Sequence, residues 1–110
     1  MTTRSVGNYY EKKSVEFLKR MGYVCERTRA KVVWIKGRPI SLHADMFGCI
    51  DVVGLKEDSV VFVQVKFCGL SGTHVSSQMR KDLAALPAPM GSVMLHIWRT
   101  GASRPEVEVF

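Results

Sequence analysis

The chain has 110 residues, with 16 Lys or Arg against 10 Asp or Glu, for a formal net charge of +6. Residues 1–110 are expected to form one domain, long enough to bury a core without disulfide or metal staples. A 46% hydrophobic and 24% charged composition with no apolar run near the roughly 20 residues of a bilayer span argues against membrane insertion, and Met1-Thr2-Thr3-Arg4 leads into polar sequence rather than a secretory segment, so a cytoplasmic protein is expected.

Between residues 6 and 21, Val6, Tyr10, Phe17, Leu18 and Met21 recur at helical spacing with Lys and Glu between them, predicting a first helix stopped by Gly22. Short β-favouring runs follow at Tyr23-Val24-Cys25 and Lys31-Val32-Val33-Trp34-Ile35. Gly37-Arg38-Pro39 is expected to turn the second run into Ile40-Ser41-Leu42. Cys49-Ile50-Asp51-Val52-Val53 predicts a further strand closed by Gly54, and the turn Lys56-Glu57-Asp58-Ser59 leads into residues 60–67. That last run is the most apolar in the chain and is expected to be central and covered on both faces. A loop over residues 69–73 precedes a second helix from about His74 to Leu86, ended by Pro87 and Pro89. Residues 92–99 predict another strand, and 106–110 are a candidate edge strand. The expected order is α-β-β-β-β-α-β, a mixed α/β sheet flanked by helices rather than a repeated βαβ fold.

The charge is unevenly placed. Residues 1–38 hold ten basic residues against Glu11, Glu16 and Glu26, a balance of +7, whereas residues 39–110 balance at −1. One basic surface for a polyanion such as nucleic acid follows, with a solvated basic helix as the alternative. Cys25, Cys49 and Cys68 are odd in number and widely spaced, and with His43, His74 and His96 they form no zinc-like pairs. They read as buried thiols in a reducing compartment.

Polar residues stand inside the most apolar strands. Gln64 and Lys66 alternate with Val61, Val63, Val65 and Phe67, so both point to one face, and Asp51 sits on the expected hairpin partner. Buried without partners, an amide and an ammonium would cost several kcal/mol, on the order of 2–7 for the amide alone. An acid, an oxygen ligand and a lysine on adjacent strands can hold a divalent ion and activate a water beside it. The alternative is an amphipathic strand whose Gln64 and Lys66 face solvent.

Asp51, a spacer containing a β-turn, then Gln64-Val65-Lys66 resembles the PD-(D/E)XK nuclease signature in the glutamine variant found in Mrr-type restriction enzymes. The leading Gly7-Asn8-Tyr9-Tyr10-Glu11, with Leu18 and Gly22-Tyr23 after it, resembles the first motif of archaeal-type Holliday junction resolvases. Residues 45–53 are similar to the matching stretch of small phage or prophage members, and the order of elements agrees over about residues 7–98.

The resemblance implies a restriction-endonuclease-like fold and roles by position. Asp51 would be the metal ligand, with the Gln64 side-chain oxygen, the Val65 backbone carbonyl and Glu11, directly or through water, completing the set. A neutral amide in place of a carboxylate implies weaker metal affinity. Lys66 would orient the attacking water and stabilise charge on the phosphate. Mg²⁺ or Mn²⁺ is the implied cofactor. Lys12, Lys13, Arg27, Arg29 and Lys31 would line the approach for a phosphate backbone, joined by Arg80 or Lys81 of the second helix. DNA, branched or junction DNA above all, is the implied partner, and a symmetric cut implies a homodimer.

Plainer readings stand beside these. Glu11 fits an exposed residue near a helix start, Asp45 a loop cap, and His74 a surface histidine at a helix start. Trp34 and Trp98 fit the core. For function, a resolvase-like endonuclease leads. A restriction or repair nuclease of the same fold and a non-cleaving nuclease-fold module that binds DNA or protein are the alternatives.

Overall fold

The architecture is that of a computed structural model describing residues 3–28, 32–41, 46–70 and 75–110. His43, Asp45, His74, Arg29 and Lys31 lie outside the described residues, as does the Trp34 side chain.

Helix α1 (Thr3–Arg20) follows the apolar periodicity, and Lys19 and Arg20 in its last turn complement the helix dipole. The Gly22 N–H donates to the Lys19 carbonyl and the Tyr23 N–H to the Leu18 carbonyl, a Schellman closure. That closure needs the left-handed backbone that Gly22 supplies at φ +96°.

Two sheets follow. The larger runs in the order β1 (Val24–Arg27), β4 (Val52–Lys56), β5 (Ser59–Phe67), β6 (Val93–Trp98), β7 (Glu106–Val109). The smaller pairs β2 (Val32–Ile35) with β3 (Arg38–Ser41). Its turn residues are Lys36 and Gly37, at φ +52° and +75°, rather than Gly37-Arg38-Pro39. This is the pair of left-handed residues that a two-residue hairpin of matching twist demands. Five strands therefore separate the helices, one more than the expected order, and the candidate edge strand is formed as β7.

As expected, β5 is the middle strand. It pairs antiparallel with β4 through the two-residue turn Glu57-Asp58, and parallel with β6 through a crossover containing α2 (Ser77–Ala84). Helix α2 is shorter than expected: the Ser76 hydroxyl caps it by accepting from the Met79 N–H at 3.1 Å. Strand β4 does not close at Gly54 but passes through it. A Cβ there would stand 2.9 Å from Val61 Cγ2, so the β4–β5 approach requires glycine.

The sheet separates two apolar clusters. On one face Val52, Val61, Val63, Val65 and Trp98 pack with Leu18 and Tyr10 of α1. On the other, Ile50, Val93, Leu95 and Ile97 pack with Leu83 and Met79 of α2, and Phe62 joins them. Cys68 is buried among these, whereas Cys25 and Cys49 are only half-buried, and none of the three forms a disulfide.

Candidate active site

Asp51 is the residue that connects the two strands at their open end. The Met46–Ile50 bridge holds a tight turn just before it, so β4 begins at Val52 and Asp51 lies between turn and strand. Its N–H donates to the Val63 carbonyl at 2.8 Å, and its Oδ2 accepts from the Val65 N–H at 2.9 Å. Only 6% of Asp51 is exposed. Because peptide groups alternate along a strand, Val63 and Val65 both turn their backbone toward β4, which places the Val65 carbonyl on the edge that Asp51 occupies.

Gln64 and Lys66 flank that residue. Alternation carries them to the face opposite Val63 and Val65, the face of Phe62 and α2, and both are half-buried. Gln64 Oε1 is buried without a hydrogen-bond partner. Such an orphaned acceptor costs about 1–3 kcal/mol. A hard cation that takes oxygen ligands would relieve it. The donor set at this edge, a carboxylate, an amide oxygen and a backbone carbonyl, is all oxygen and fits Mg²⁺ or Mn²⁺ in kind. Among the described residues no three of His, Cys, Asp and Glu converge as a metal-ligand group.

Glu11 is ion-paired with Arg27. Arg27 Nη2 donates to Glu11 Oε1 and to Asn8 Oδ1, each at 2.9 Å. Arg27 is in register with Val52, whose side chain faces α1, so this ion pair ties α1 to β1 on the side away from Gln64 and Lys66. Arg27 is thereby engaged by α1 through its Nη2.

The other cations divide the same way. Lys12 and Lys81 are exposed. Lys13 Nζ donates to the Ala102 carbonyl at 3.2 Å and lies 5.0–5.7 Å from the ring centres of Trp98, Tyr9 and Tyr10, a cation held by aromatic faces. Arg80 makes a two-point ion pair with Glu108 of β7, at 2.9 and 2.8 Å, so its guanidinium fastens α2 to the sheet edge. That pairing raises the Arg80 pKa and lowers that of Glu108.

Several residues at the site carry no signal in a linear reading. The Thr28 N–H donates to the Asp51 carbonyl at 2.9 Å, and its hydroxyl is shared between the Ile50 and Asp51 carbonyls at 2.9 and 3.2 Å. Only the β1–β4 register reveals this clasp. Behind the sheet, Trp98 Nε1 donates to Ser14 Oγ at 2.7 Å and His96 Nδ1 lies 3.0 Å from the same oxygen. All three residues are buried, and burial pushes the His96 pKa down to about 4. Phe47, in the turn before Asp51, takes φ +55° and is 70% exposed. For a non-glycine residue that backbone costs about 1–2 kcal/mol. With Phe62, Leu86, Pro87, Ala88 and Pro89 it lines an apolar groove of about 190 Å³.

Comparison with known proteins agrees with this architecture. No family model matches the chain. Over 68 residues it is 34% identical to UPF0102 protein FN1370 of Fusobacterium nucleatum, a match covering 61% of this chain and 45% of that protein. The matched stretch thus spans less than half of the relative's length. The fold is similar to that of Hjc from Archaeoglobus fulgidus, described as a Holliday junction resolvase from an archaeal hyperthermophile, with a TM-score of 0.58 over 94% of this chain and 70% of that one at 14% identity. The mixed five-stranded sheet flanked by helices therefore has the restriction-endonuclease-like fold.

Proposed function

We propose that this chain is a metal-dependent DNA endonuclease of the glutamine PD-(D/E)XK kind, acting on branched DNA in the manner of a Holliday junction resolvase. The observation that carries the reading is the Asp51 carboxylate fastened to the Val65 N–H, between Gln64 and Lys66 on the central strand. Asp51, the Gln64 side-chain oxygen and the Val65 carbonyl would hold Mg²⁺ or Mn²⁺. Bound there, such an ion supplies Lewis-acid polarisation of the phosphodiester.

Lys66, on the same face as Gln64, stabilises negative charge gathering on the phosphate and orients the attacking water. Lys12 and Lys81, both exposed, hold the phosphate backbone without reading sequence. Glu11 keeps α1 in place through Arg27. A homodimer would offer two such sites to a symmetric junction.

The test is a nicking assay on a four-way junction and a linear duplex with Mg²⁺ or Mn²⁺, comparing wild type with Asp51→Ala and Lys66→Ala. Wild type is expected to cut the junction, with both variants reduced on the order of a hundredfold or more. A wild type that leaves every substrate intact, while binding the junction as tightly as both variants do, overturns the reading in favour of a non-cleaving DNA-binding module.

A further inference from the structure

The groove beside the site has no part in the chemistry above, yet it opens from the same face of the same strand. Phe62, in its floor, precedes Gln64 by two residues and points to the same side of the sheet, with the two Cα atoms about 7 Å apart. Its outer wall is Phe47, four residues before Asp51. Phe47 is 70% exposed and stands on a left-handed backbone. An aromatic residue is poorly suited to that backbone, and strained positions that persist cluster at binding sites. The opposite wall, Leu86 to Pro89, follows α2 and carries two prolines that fix its shape.

The groove is therefore an apolar slot of about 190 Å³ with the Phe47 and Phe62 rings in its lining, on the face of β5 that also carries Gln64 and Lys66. A slot of this kind suits a flat, weakly polar ring attached to an anion, with the ring against Phe47 and the anion toward Lys66. A nucleobase with its phosphate has that form, and base–aromatic stacking tolerates any sequence because every base has a π-face.

We propose that the Phe47–Phe62 groove is a subsite for one unpaired nucleobase next to the scissile phosphate. This inference rests on the nuclease reading and adds its substrate class: DNA with an unstacked base at the cut, as branch points and bulges present. Fully stacked duplex offers no base to the slot, so the subsite selects structure without reading sequence.

The test uses the full chain carrying Asp51→Asn, so that binding is read without cleavage. Its ligands are two duplexes with a single-nucleotide bulge, one bearing 2-aminopurine and the other an abasic residue. Affinity for the 2-aminopurine bulge is expected to exceed that for the abasic one on the order of tenfold, with 2-aminopurine fluorescence quenched on binding. Adding Phe47→Gly should erase both effects, and Phe47→Tyr should keep them. Glycine suits φ +55°, so the variant is expected to fold, as circular dichroism would check.

Equal affinity for the two bulges, or a preference that survives Phe47→Gly, overturns the inference. So does sedimentation showing that Phe47→Gly separates a dimer while base dependence is unchanged, which would make the groove a self-association face. The two readings fail separately. A wild-type protein that cuts nothing but binds unpaired bases through Phe47 overturns the nuclease and keeps the subsite. Cleavage without base dependence does the reverse.

Discussion

The Asp51 carboxylate is bound to the backbone of Val65, 14 residues away, across the open end of the β4–β5 hairpin. The contact fixes an acid beside a peptide whose two neighbours, Gln64 and Lys66, are the polar residues of the central strand. Asp51→Ala leaves the buried Val65 N–H without its charged acceptor and is expected to cost about 1.5–3 kcal/mol in urea unfolding. Asp51→Asn retains an oxygen and should cost less, yet it should lose nicking activity as fully as the alanine variant. A stable Asp51→Asn that still cuts would remove the carboxylate from the chemistry.

Gln64 allows stability and metal binding to be separated. Its buried Oε1 has no partner, so Gln64→Met, of similar volume, is expected to be neutral or stabilising by up to about 1 kcal/mol without metal. The same variant should take up no Mn²⁺ in calorimetry. Gln64→Glu should retain or raise Mn²⁺ affinity, because a carboxylate attracts the ion more strongly than an amide; a clear loss would show that the amide itself is required.

Acid should weaken the fold through His96. Its folded pKa of about 4 lies below the ordinary 6.5 because burial disfavours the imidazolium. The unfolded chain therefore binds the proton first. Stability from this group is complete above pH 6.5, falls as the pH drops toward 4, and is lost by about 3 kcal/mol at most. His96→Phe should flatten the pH dependence of the urea midpoint between pH 6.5 and 4 relative to wild type. Parallel curves for the two proteins would rule His96 out.

Gly54 marks the closest approach of β4 to β5. Gly54→Ala sets a methyl 2.9 Å from Val61 Cγ2 and is expected to destabilise by about 1–3 kcal/mol. Val61→Ala should recover part of that loss in the double variant, measured as a coupling energy in a thermal or urea cycle. Strict additivity would mean that the clash is relieved elsewhere.

The cations should sort by what they already hold. Lys12→Ala and Lys81→Ala are each expected to weaken DNA binding evenly across sequences and to lower the salt slope by about 1. Arg80→Ala, whose guanidinium is bound to Glu108, should leave the slope unchanged and lower stability only slightly, as a solvent-screened ion pair does. Titration of binding against salt separates the two classes.

Much of this molecule was legible in its residues. Periodicity placed α1, the stop at Gly22 and the turn at Glu57-Asp58, because those signals are local. The apolar run from Val60 to Phe67 marked the central strand, since a strand covered on both faces must be apolar on both. The interruption of that run by Gln64 and Lys66 drew attention to the site, because a polar group inside an apolar run needs a reason. The strand after Asp51 starts later and runs further than its residues suggest. Its start is set by the Met46–Ile50 bridge, and its passage through Gly54 by the approach of Val61.

Sequence alone determined which residues carry charge, which stretches are mainly helix or strand, and that an acid stands close before the strand that pairs with the one carrying the lysine. Tertiary structure decided which of those charges are available. Arg27 is bound to Glu11, Arg80 to Glu108 and Lys13 to a ring of aromatics, while Lys12 and Lys81 remain exposed. The reason is register and packing. A residue's type fixes the bonds it can make, but its partner lies 16 residues away for Arg27 and 28 for Arg80, a distance closed by the packing of α1 on β1 and of α2 on the sheet that β6 and β7 share.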